Sequence, residues 1–169
     1  MTFDSLGLSA DLVRMVAEEG YTSPTPVQEA AIPLVLAGRD VLAAAQTGTG
    51  KTAAFVLPIL DRLRHQANTS FSPARHPVRV LILVPTRELA MQVDESVRTY
   101  GRTVPLRSTV VYGGIPMDPQ IKALRGGIEI LVATPGRLLD LVGQKVANLG
   151  QVEILVLENP RFSTWRLHP

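Results

Sequence analysis

The stretch AQTGTGKT, residues 45–52, constrains this chain more than any other part of its sequence. It overlaps the end of the apolar run DVLAAA (40–45), which predicts a buried strand, and it leads into a long helix that begins at Lys51. Gly48 and Gly50 permit a tight turn whose backbone amides point at an anion. The positive end of the following helix favours the same anion. The sequence therefore predicts a strand, a glycine-rich turn and a helix arranged around a phosphate group.

Two side chains of this loop suit a nucleoside triphosphate. The Lys51 ammonium can reach the β- and γ-phosphates, and we predict Lys51 as a catalytic residue. The Thr52 hydroxyl can ligate the Mg²⁺ that accompanies these phosphates. The general pattern of such loops has glycine where this chain has Ala45. The predicted loop contacts are Gln46, Thr47, Gly48, Thr49, Gly50, Lys51 and Thr52. The loop alone leaves kinases, GTPases and motor ATPases open.

The other predicted strands indicate the fold class. VRVLILVP (78–85), IEILVATP (128–135) and VEILVL (152–157) are continuous apolar runs without alternation, and helical stretches separate them. Such strands are typical of a sheet that is buried on both faces. We therefore predict an α/β fold with a mostly parallel sheet and helices on both faces.

Composition limits the chain to one domain of ordinary globular type. It has 169 residues, of which 46% are apolar and 19% charged. The absence of cysteine excludes disulfides and thiolate metal sites and fits a cytoplasmic protein. We find neither a signal peptide nor an apolar run long enough to span a membrane. The 14 arginines against 3 lysines suit phosphate contacts, although a GC-rich gene would give the same bias.

Upstream of the loop, GYTSPTPVQ (20–28) and the earlier Phe3 resemble the Q motif of DEAD-box ATP-dependent RNA helicases. In that family the glutamine reads the adenine edge and the upstream aromatic ring stacks on the base. The resemblance implies those roles for Gln28 and Phe3, with Tyr21 and Thr25 in the same site. A glutamine amide suits adenine because it offers both a donor and an acceptor.

Three further stretches resemble RNA-binding motifs of the same family. PTRELA (85–90) is similar to motif Ia, GG (113–114) to the glycine pair, and TPGR (134–137) to motif Ib. Each follows a predicted strand, which for the glycine pair is RSTVVYGG (107–114), and open α/β sheets bind ligands at such positions. The resemblance implies contacts to the backbone of single-stranded or structured RNA, which arginines, hydroxyls and glycines can supply. The implied residues are Pro85, Thr86, Arg87, Gly113, Gly114, Thr134, Pro135, Gly136 and Arg137.

Each of these short stretches also has a plainer explanation. Thr86 suits the N-cap of the helix that follows, and Pro135-Gly136 is a common turn. As an ordered set at the ends of strands, the motifs favour RNA binding.

The resemblance extends over residues 1–157. It implies a RecA-like, P-loop ATP-binding domain of the bacterial RhlE-like type, with its Q motif at 3–28 and its P-loop at 45–52. Its expected ligands are ATP or ADP with Mg²⁺, and RNA is the expected partner. The family also has a second RecA-like domain, which this chain would require for helicase activity.

The sequence departs from the family after the last predicted strand. The family has Asp-Glu-Ala-Asp there, whereas this chain has Glu158, Asn159, Pro160 and Arg161. Glu158 retains a carboxylate at the metal-binding position, and we predict it as a degraded catalytic residue. Asn159 cannot act as a base. We therefore predict slow or absent ATP hydrolysis and no unwinding by this chain alone.

Two alternative functions follow from the same residues. A natural, non-catalytic module that binds nucleotide or RNA would also carry a degraded motif here. A P-loop kinase or GTPase is disfavoured because the guanine-reading N-K-x-D pattern is absent.

The tail, residues 158–169, lacks periodicity. The codons for Leu-Asp-Met-Gly, which the family often has here, can give Ser-Thr-Trp (163–165) when read one base later. A frameshift, a divergent natural terminus and a cloning-derived end all remain open. We expect the tail either to be disordered or to pack on an exposed sheet edge.

We assign no functional role to the two histidines near residue 70 or to the charged segment 94–98. His65 and His76 flank a polar loop, and we expect both to be solvated. The segment 94–98 is predicted as a solvated helix face rather than an acid/base pair.

Overall fold

The computed structural model describes residues 1–46, 48–159 and 162–167. The predicted α/β fold is confirmed: a mostly parallel sheet of six strands lies between two layers of helices. The helices are α1 (Ala10–Glu18), α2 (Pro26–Leu36), α3 (Lys51–Leu63), α4 (Arg87–Tyr100), α5 (Asp118–Arg125) and α6 (Pro135–Gly143). The strands are β1 (Val41–Ala44), β2 (Val80–Leu83), β3 (Ser108–Val111), β4 (Ile130–Ala133), β5 (Ile154–Glu158) and β6 (Phe162–Leu167).

Short 3₁₀ turns precede α1, follow α3 and lie within the loop before β2. They span Phe3–Leu6, Arg64–Gln66 and Pro73–Arg75. Among the described helices, none has the length and apolar character required to cross a membrane.

The sheet has the order β1-β6-β5-β2-β4-β3. Strands β5, β2, β4 and β3 pair in parallel, and Leu83 lies level with Ala133 and Leu157. Ala133 in turn lies level with Val111. These strands therefore end together, and the loops that follow them share one edge of the sheet.

The tail contains a strand that the sequence analysis did not predict. Strand β6 lies between β5 and β1 and is antiparallel to both. Disorder is thus the wrong expectation for residues 162–167, and they lie inside the sheet rather than on its edge. The short connection after Glu158 explains the direction, because parallel pairing requires a crossover of a dozen or more residues. Pro160, Arg161, His168 and Pro169 lie outside the described residues.

Alternate residues of the central strands pack into two cores. Val80 and Ile82 belong to the core formed with α1, α2, α3 and α4, whereas Leu81 belongs to the core formed with α5 and α6. Both faces of β2 are therefore covered, as continuous apolar runs predict.

Strand β1 departs from that prediction. Leu42 is 72% exposed, and it lies in one row with Thr164 of β6 and Leu157 of β5, which is 43% exposed. The layer of α5 and α6 packs on β2, β3 and β4 instead. An apolar run in the sequence therefore did not ensure burial on both faces here.

His76 corrects a second expectation. The side chain is buried, its Nδ1 contacts Oε1 of Glu129, and its Nε2 donates to the carbonyl oxygen of Ser70 at 2.8 Å. His65, by contrast, is exposed as expected. The expected solvated face at 94–98 is also interrupted, because Asp94 and Val97 are buried.

Candidate functional site

The carboxyl ends of five strands lie at one edge of the sheet. Strand β1 runs parallel to β5 because both are antiparallel to β6. The glycine-rich loop follows β1 and Glu158 ends β5, so these two elements share one half of the edge. The loops after β2, β4 and β3 form the other half. The fold thus separates the predicted nucleotide residues from most of the predicted RNA residues along a single edge.

The glycine-rich loop has the backbone that its sequence predicts. Gly48 and Gly50 have φ values of +85° and +81°, a region that residues with a Cβ rarely adopt. Helix α3 begins directly afterwards at Lys51, with Gly50 as its N-cap. The Thr49 hydroxyl donates to the carbonyl oxygen of Gln46 at 2.6 Å and closes the turn. Thr47 lies outside the described residues.

Lys51 joins this loop to the end of β5. Its side chain is 7% exposed, and its Nζ lies 3.5 Å from Oε1 of Glu158, which is 3% exposed. The same Nζ donates to the backbone oxygen of Asn159 at 2.8 Å. The structure therefore brings together the two residues predicted as catalytic.

Gln28 connects the Q-motif segment to the loop. Its Oε1 accepts from the backbone N–H of Thr25 at 3.0 Å, and its Nε2 donates to the carbonyl oxygen of Gly50 at 3.1 Å. The Thr25 hydroxyl caps α2, which fixes the position from which Gln28 reaches across. A methyl group on Gly50 would collide with Nε2 of Gln28, so a larger residue there would displace the glutamine side chain from this contact.

Gln28, Lys51, Glu158 and part of the glycine-rich loop line one cleft of about 470 Å³. That volume is in the usual range for small-molecule sites. The predicted residues among its lining are Tyr21, Gln28, Gln46, Gly48, Gly50, Lys51, Thr52, Thr86 and Glu158. A turn of positive-φ glycines, a helix N-terminus and a buried ammonium fit a nucleotide phosphate chain. The Thr52 hydroxyl and the Glu158 carboxylate offer the oxygen atoms that Mg²⁺ prefers.

Helix α4 contributes cleft residues that sequence reasoning missed. Leu89, Gln92, Ser96 and Tyr100 line the far wall. The hydroxyl of Tyr100 donates to that of Tyr21 at 3.3 Å, and the ring centroids lie 6.4 Å apart. Burial raises the pKa of Tyr100, and the hydrogen bond to Tyr21 adds to the increase. The only sequence signal was the helical spacing of 92, 96 and 100, which does not separate a cleft wall from a core face.

Phe3 is not brought to the cleft. It is 4% exposed and packs in the core with Leu6 and Leu12. It is absent from the cleft lining among the described residues. The expected stacking of Phe3 on a base thus has no counterpart in this geometry.

The loop after β2 lies beside the glycine pair. Pro85, Thr86 and Arg87 are exposed, and the Thr86 hydroxyl caps α4 by accepting from the N–H of Leu89 at 3.2 Å. A Cβ placed on Gly114 would lie 3.4 Å from Nη1 of Arg87. The capping role proposed for Thr86 is therefore present, and Arg87 reaches the glycine pair.

Arg137 contacts the chain directly after the same pair. Its Nη2 donates to the carbonyl oxygen of Ile115 at 3.0 Å, and its Nη1 donates to Oε1 of Gln120 at 3.1 Å. Gly113 and Gly114 are both exposed. Thr134 precedes α6, which Pro135 and Gly136 begin, both exposed. The predicted RNA residues thus lie in the loops that follow β2, β3 and β4, at one edge of the sheet.

Comparison with known proteins was consistent with this geometry. The sequence model of the DEAD/DEAH box helicase family matches residues 25–160. The DEAD-box ATP-dependent RNA helicase CshA of Streptococcus pneumoniae is 45% identical over 158 residues, which are 94% of this chain and 29% of that protein. The DEAD-box ATP-dependent RNA helicase 52A of Oryza sativa is 45% identical, over 92% of this chain and 27% of that protein.

The ATP-dependent RNA helicase DHH1 of Debaryomyces hansenii is 43% identical, over 93% of this chain and 29% of that protein. This chain therefore spans less than a third of the length of these relatives. The family model nevertheless covers most of the chain. The fold, the glycine-rich loop and the motifs along the sheet edge, together with this match, show that the chain belongs to the DEAD/DEAH box helicase family.

Proposed function

We propose that this chain is the N-terminal ATP- and RNA-binding domain of a DEAD-box RNA helicase of the RhlE-like type. The observation that carries the proposal is the convergence of Gln28, Lys51 and Glu158 on one cleft, beside an edge that presents Arg87 and Arg137. The relatives are named as ATP-dependent RNA helicases, which supports the same conclusion.

In this proposal, the cleft binds ATP or ADP with Mg²⁺. The loop amides and the Lys51 ammonium hold the phosphates, which must compete with Glu158 and the Asn159 carbonyl for Lys51. Magnesium, when bound, neutralises phosphate charge, and Thr52 and Glu158 are the residues that would hold it. Gln28 reads the adenine edge after one of its two internal hydrogen bonds is exchanged for the base.

The other half of the edge binds the RNA backbone. Arg87 and Arg137 provide positive charge near Gly113 and Gly114, and these glycines let a phosphate approach the main chain. Backbone contacts of this kind are largely independent of sequence, so the proposed partner is RNA of any sequence, single-stranded or structured.

We assign little or no ATP hydrolysis to this chain alone. A carboxylate that orients the attacking water would belong at position 159, where the asparagine amide cannot accept a proton. The full-length parent, with a second RecA-like domain, would couple hydrolysis to duplex unwinding. A non-catalytic nucleotide and RNA module is the second candidate, and Asn159 favours it.

The test separates binding from turnover. A fluorescent ADP analogue is titrated into the chain and into Lys51→Ala, and phosphate release from ATP is followed with and without polyuridine. We expect Mg²⁺-dependent nucleotide binding that Lys51→Ala weakens at least tenfold, with turnover far below about 1 s⁻¹. Absence of nucleotide binding would overturn the proposal, and RNA-stimulated turnover of several per second would overturn the assigned lack of hydrolysis.

A further inference from the structure

We propose that Gln120 is a positioning residue for the RNA-binding edge. This inference rests on the proposed RNA-binding function, and Gln120 is a residue that none of the sequence motifs includes. Gln120 lies on α5 and is 5% exposed, so it is positioned beneath the surface that would contact RNA.

The buried amide of Gln120 uses both of its ends. Its Nε2 donates to the carbonyl oxygen of Tyr112 at 3.1 Å, and its Oε1 accepts from Nη1 of Arg137 at 3.1 Å. A carbonyl can only accept and a guanidinium can only donate, so these partners fix the orientation of the amide. Gln120 therefore links the end of β3 to the start of α6.

Arg137 completes a clamp around the glycine pair. Its Nη2 donates to the carbonyl oxygen of Ile115 at 3.0 Å. Gln120 thus holds the chain directly before Gly113 and Gly114, and Arg137 holds it directly after them. Gly114 has a φ of +83°, a conformation that this clamp keeps in place.

The clamp also aims Arg137. A guanidinium has five N–H donors in a fixed plane, and the two internal hydrogen bonds use two of them. Three donors remain for a phosphate, in a plane that Gln120 and Ile115 define. Without Gln120 the guanidinium would lose one of its two fixed points, and the loss of orientation would weaken phosphate binding.

A neutral, similarly shaped variant tests this inference. Gln120→Met removes both hydrogen bonds without changing charge, and Gln151→Met, at an exposed position before β5, serves as the matched control. Affinity for a fluorescein-labelled polyuridine 20-mer is measured by anisotropy with saturating ADP and Mg²⁺. We expect Gln120→Met to weaken RNA binding about five- to tenfold and to leave the ADP affinity within twofold, whereas Gln151→Met changes neither.

A double-mutant cycle separates positioning from simple stability. If Gln120 acts through Arg137, Gln120→Met should change the RNA affinity by less than twofold in an Arg137→Ala background. Equal losses in both backgrounds would overturn the inference, as would wild-type RNA affinity in folded Gln120→Met. If Gln120→Met does not fold, Arg137→Lys replaces it: it keeps the charge but lacks the fork, and we expect a loss of at least threefold.

The two proposals can fail separately. If the wild-type chain binds no RNA, the proposed RNA edge and the clamp are both overturned. If the wild type binds RNA and folded Gln120→Met binds it equally well, or Arg137→Lys does where Gln120→Met does not fold, the clamp alone is overturned.

Discussion

Nζ of Lys51 lies 3.5 Å from Oε1 of Glu158, and both side chains are buried in the cleft between the glycine-rich loop and the end of β5. Glu158 thus already pairs with the lysine that would bind a phosphate chain. Nucleotide binding must therefore exchange one anionic partner of Lys51 for another.

Removing the charge of Glu158 should therefore change how nucleotide binding depends on magnesium. In Glu158→Gln, Lys51 has no competing carboxylate, and we expect affinity for magnesium-free ADP to rise about three- to tenfold, which corresponds to about 1 kcal/mol. The gain that Mg²⁺ gives to the wild type should shrink, because a metal-binding oxygen has lost its charge. Titration of a fluorescent ADP analogue with Mg²⁺ and with EDTA measures both effects.

Glu88→Gln is the control for that experiment. Glu88 also lines the cleft, but its side chain is 68% exposed and lies 3.6 Å from Arg87 rather than beside Lys51. We expect less than a twofold change in either condition. An equal effect in both variants would mean that general charge in the cleft, rather than the pair with Lys51, governs binding.

Two glycines of the loop provide a matched comparison. Gly48 and Gly50 have nearly the same positive φ, but a Cβ on Gly48 meets nothing within 4 Å, whereas one on Gly50 collides with Gln28. Gly48→Ala should lower the free energy of unfolding by about 1–2 kcal/mol through backbone strain alone. Gly50→Ala should lower the free energy of unfolding further, because Gln28 must also give up its hydrogen bond to the Gly50 carbonyl oxygen.

Thermal unfolding of the two variants measures this difference, and ADP titration measures its effect on the cleft. We expect nucleotide affinity to fall further in Gly50→Ala than in Gly48→Ala. Equal unfolding temperatures in the two variants would show that the Gln28 contact contributes nothing.

The sequence predicted the parallel part of the fold better than the tail. Strands β2 and β4 are continuous apolar runs, and their burial on both faces follows from that pattern. Strand β6 has no such pattern. It forms because the backbone edges of β1 and β5 are available for pairing, and the sequence of residues 162–167 does not reveal this. The tail was therefore misjudged where tertiary context decides the structure.

The same limit applies to single polar residues. The glycine-rich loop was predictable because strand, turn and helix carry separate signals that agree. His76 was expected to be solvated because its neighbours are polar, yet Glu129, 53 positions later, pairs with it inside the protein. Gln120 and Tyr100 could not be assigned from the sequence, because their roles depend on tertiary contacts with Arg137 and Tyr21.

Because His76 pairs with Glu129 inside the protein, we expect His76→Ala to destabilise the fold far more than His65→Ala. His76→Ala leaves Glu129 buried without that partner, and such a change typically costs about 3–5 kcal/mol. His65→Ala, at an exposed position, should cost less than about 0.5 kcal/mol. Urea unfolding measures both, and similar midpoints for the two variants would contradict a structural role for the buried pair.

Asp94 predicts a change in the pH dependence of stability. Burial raises the pKa of its carboxyl group above the ordinary 3.8, although the charge of Arg98 opposes the increase. The folded state therefore binds the proton more tightly than the unfolded state does. Stability must then fall as the pH rises from 3.8 through the raised value, because the charged carboxylate is held where Oδ1 has no hydrogen-bond partner.

Asp94→Asn removes that titration. We expect the variant to be more stable than the wild type at pH 7, by less than about 2 kcal/mol, and to lose this advantage as the pH falls towards 3.8. Glu95→Gln, which alters an exposed carboxylate on the same helix, should change stability little at either pH. Urea unfolding at a series of pH values measures the effect. If the advantage of Asp94→Asn grew on acidification, the ion pair with Arg98 would outweigh burial, and the direction assigned to the Asp94 pKa would be wrong.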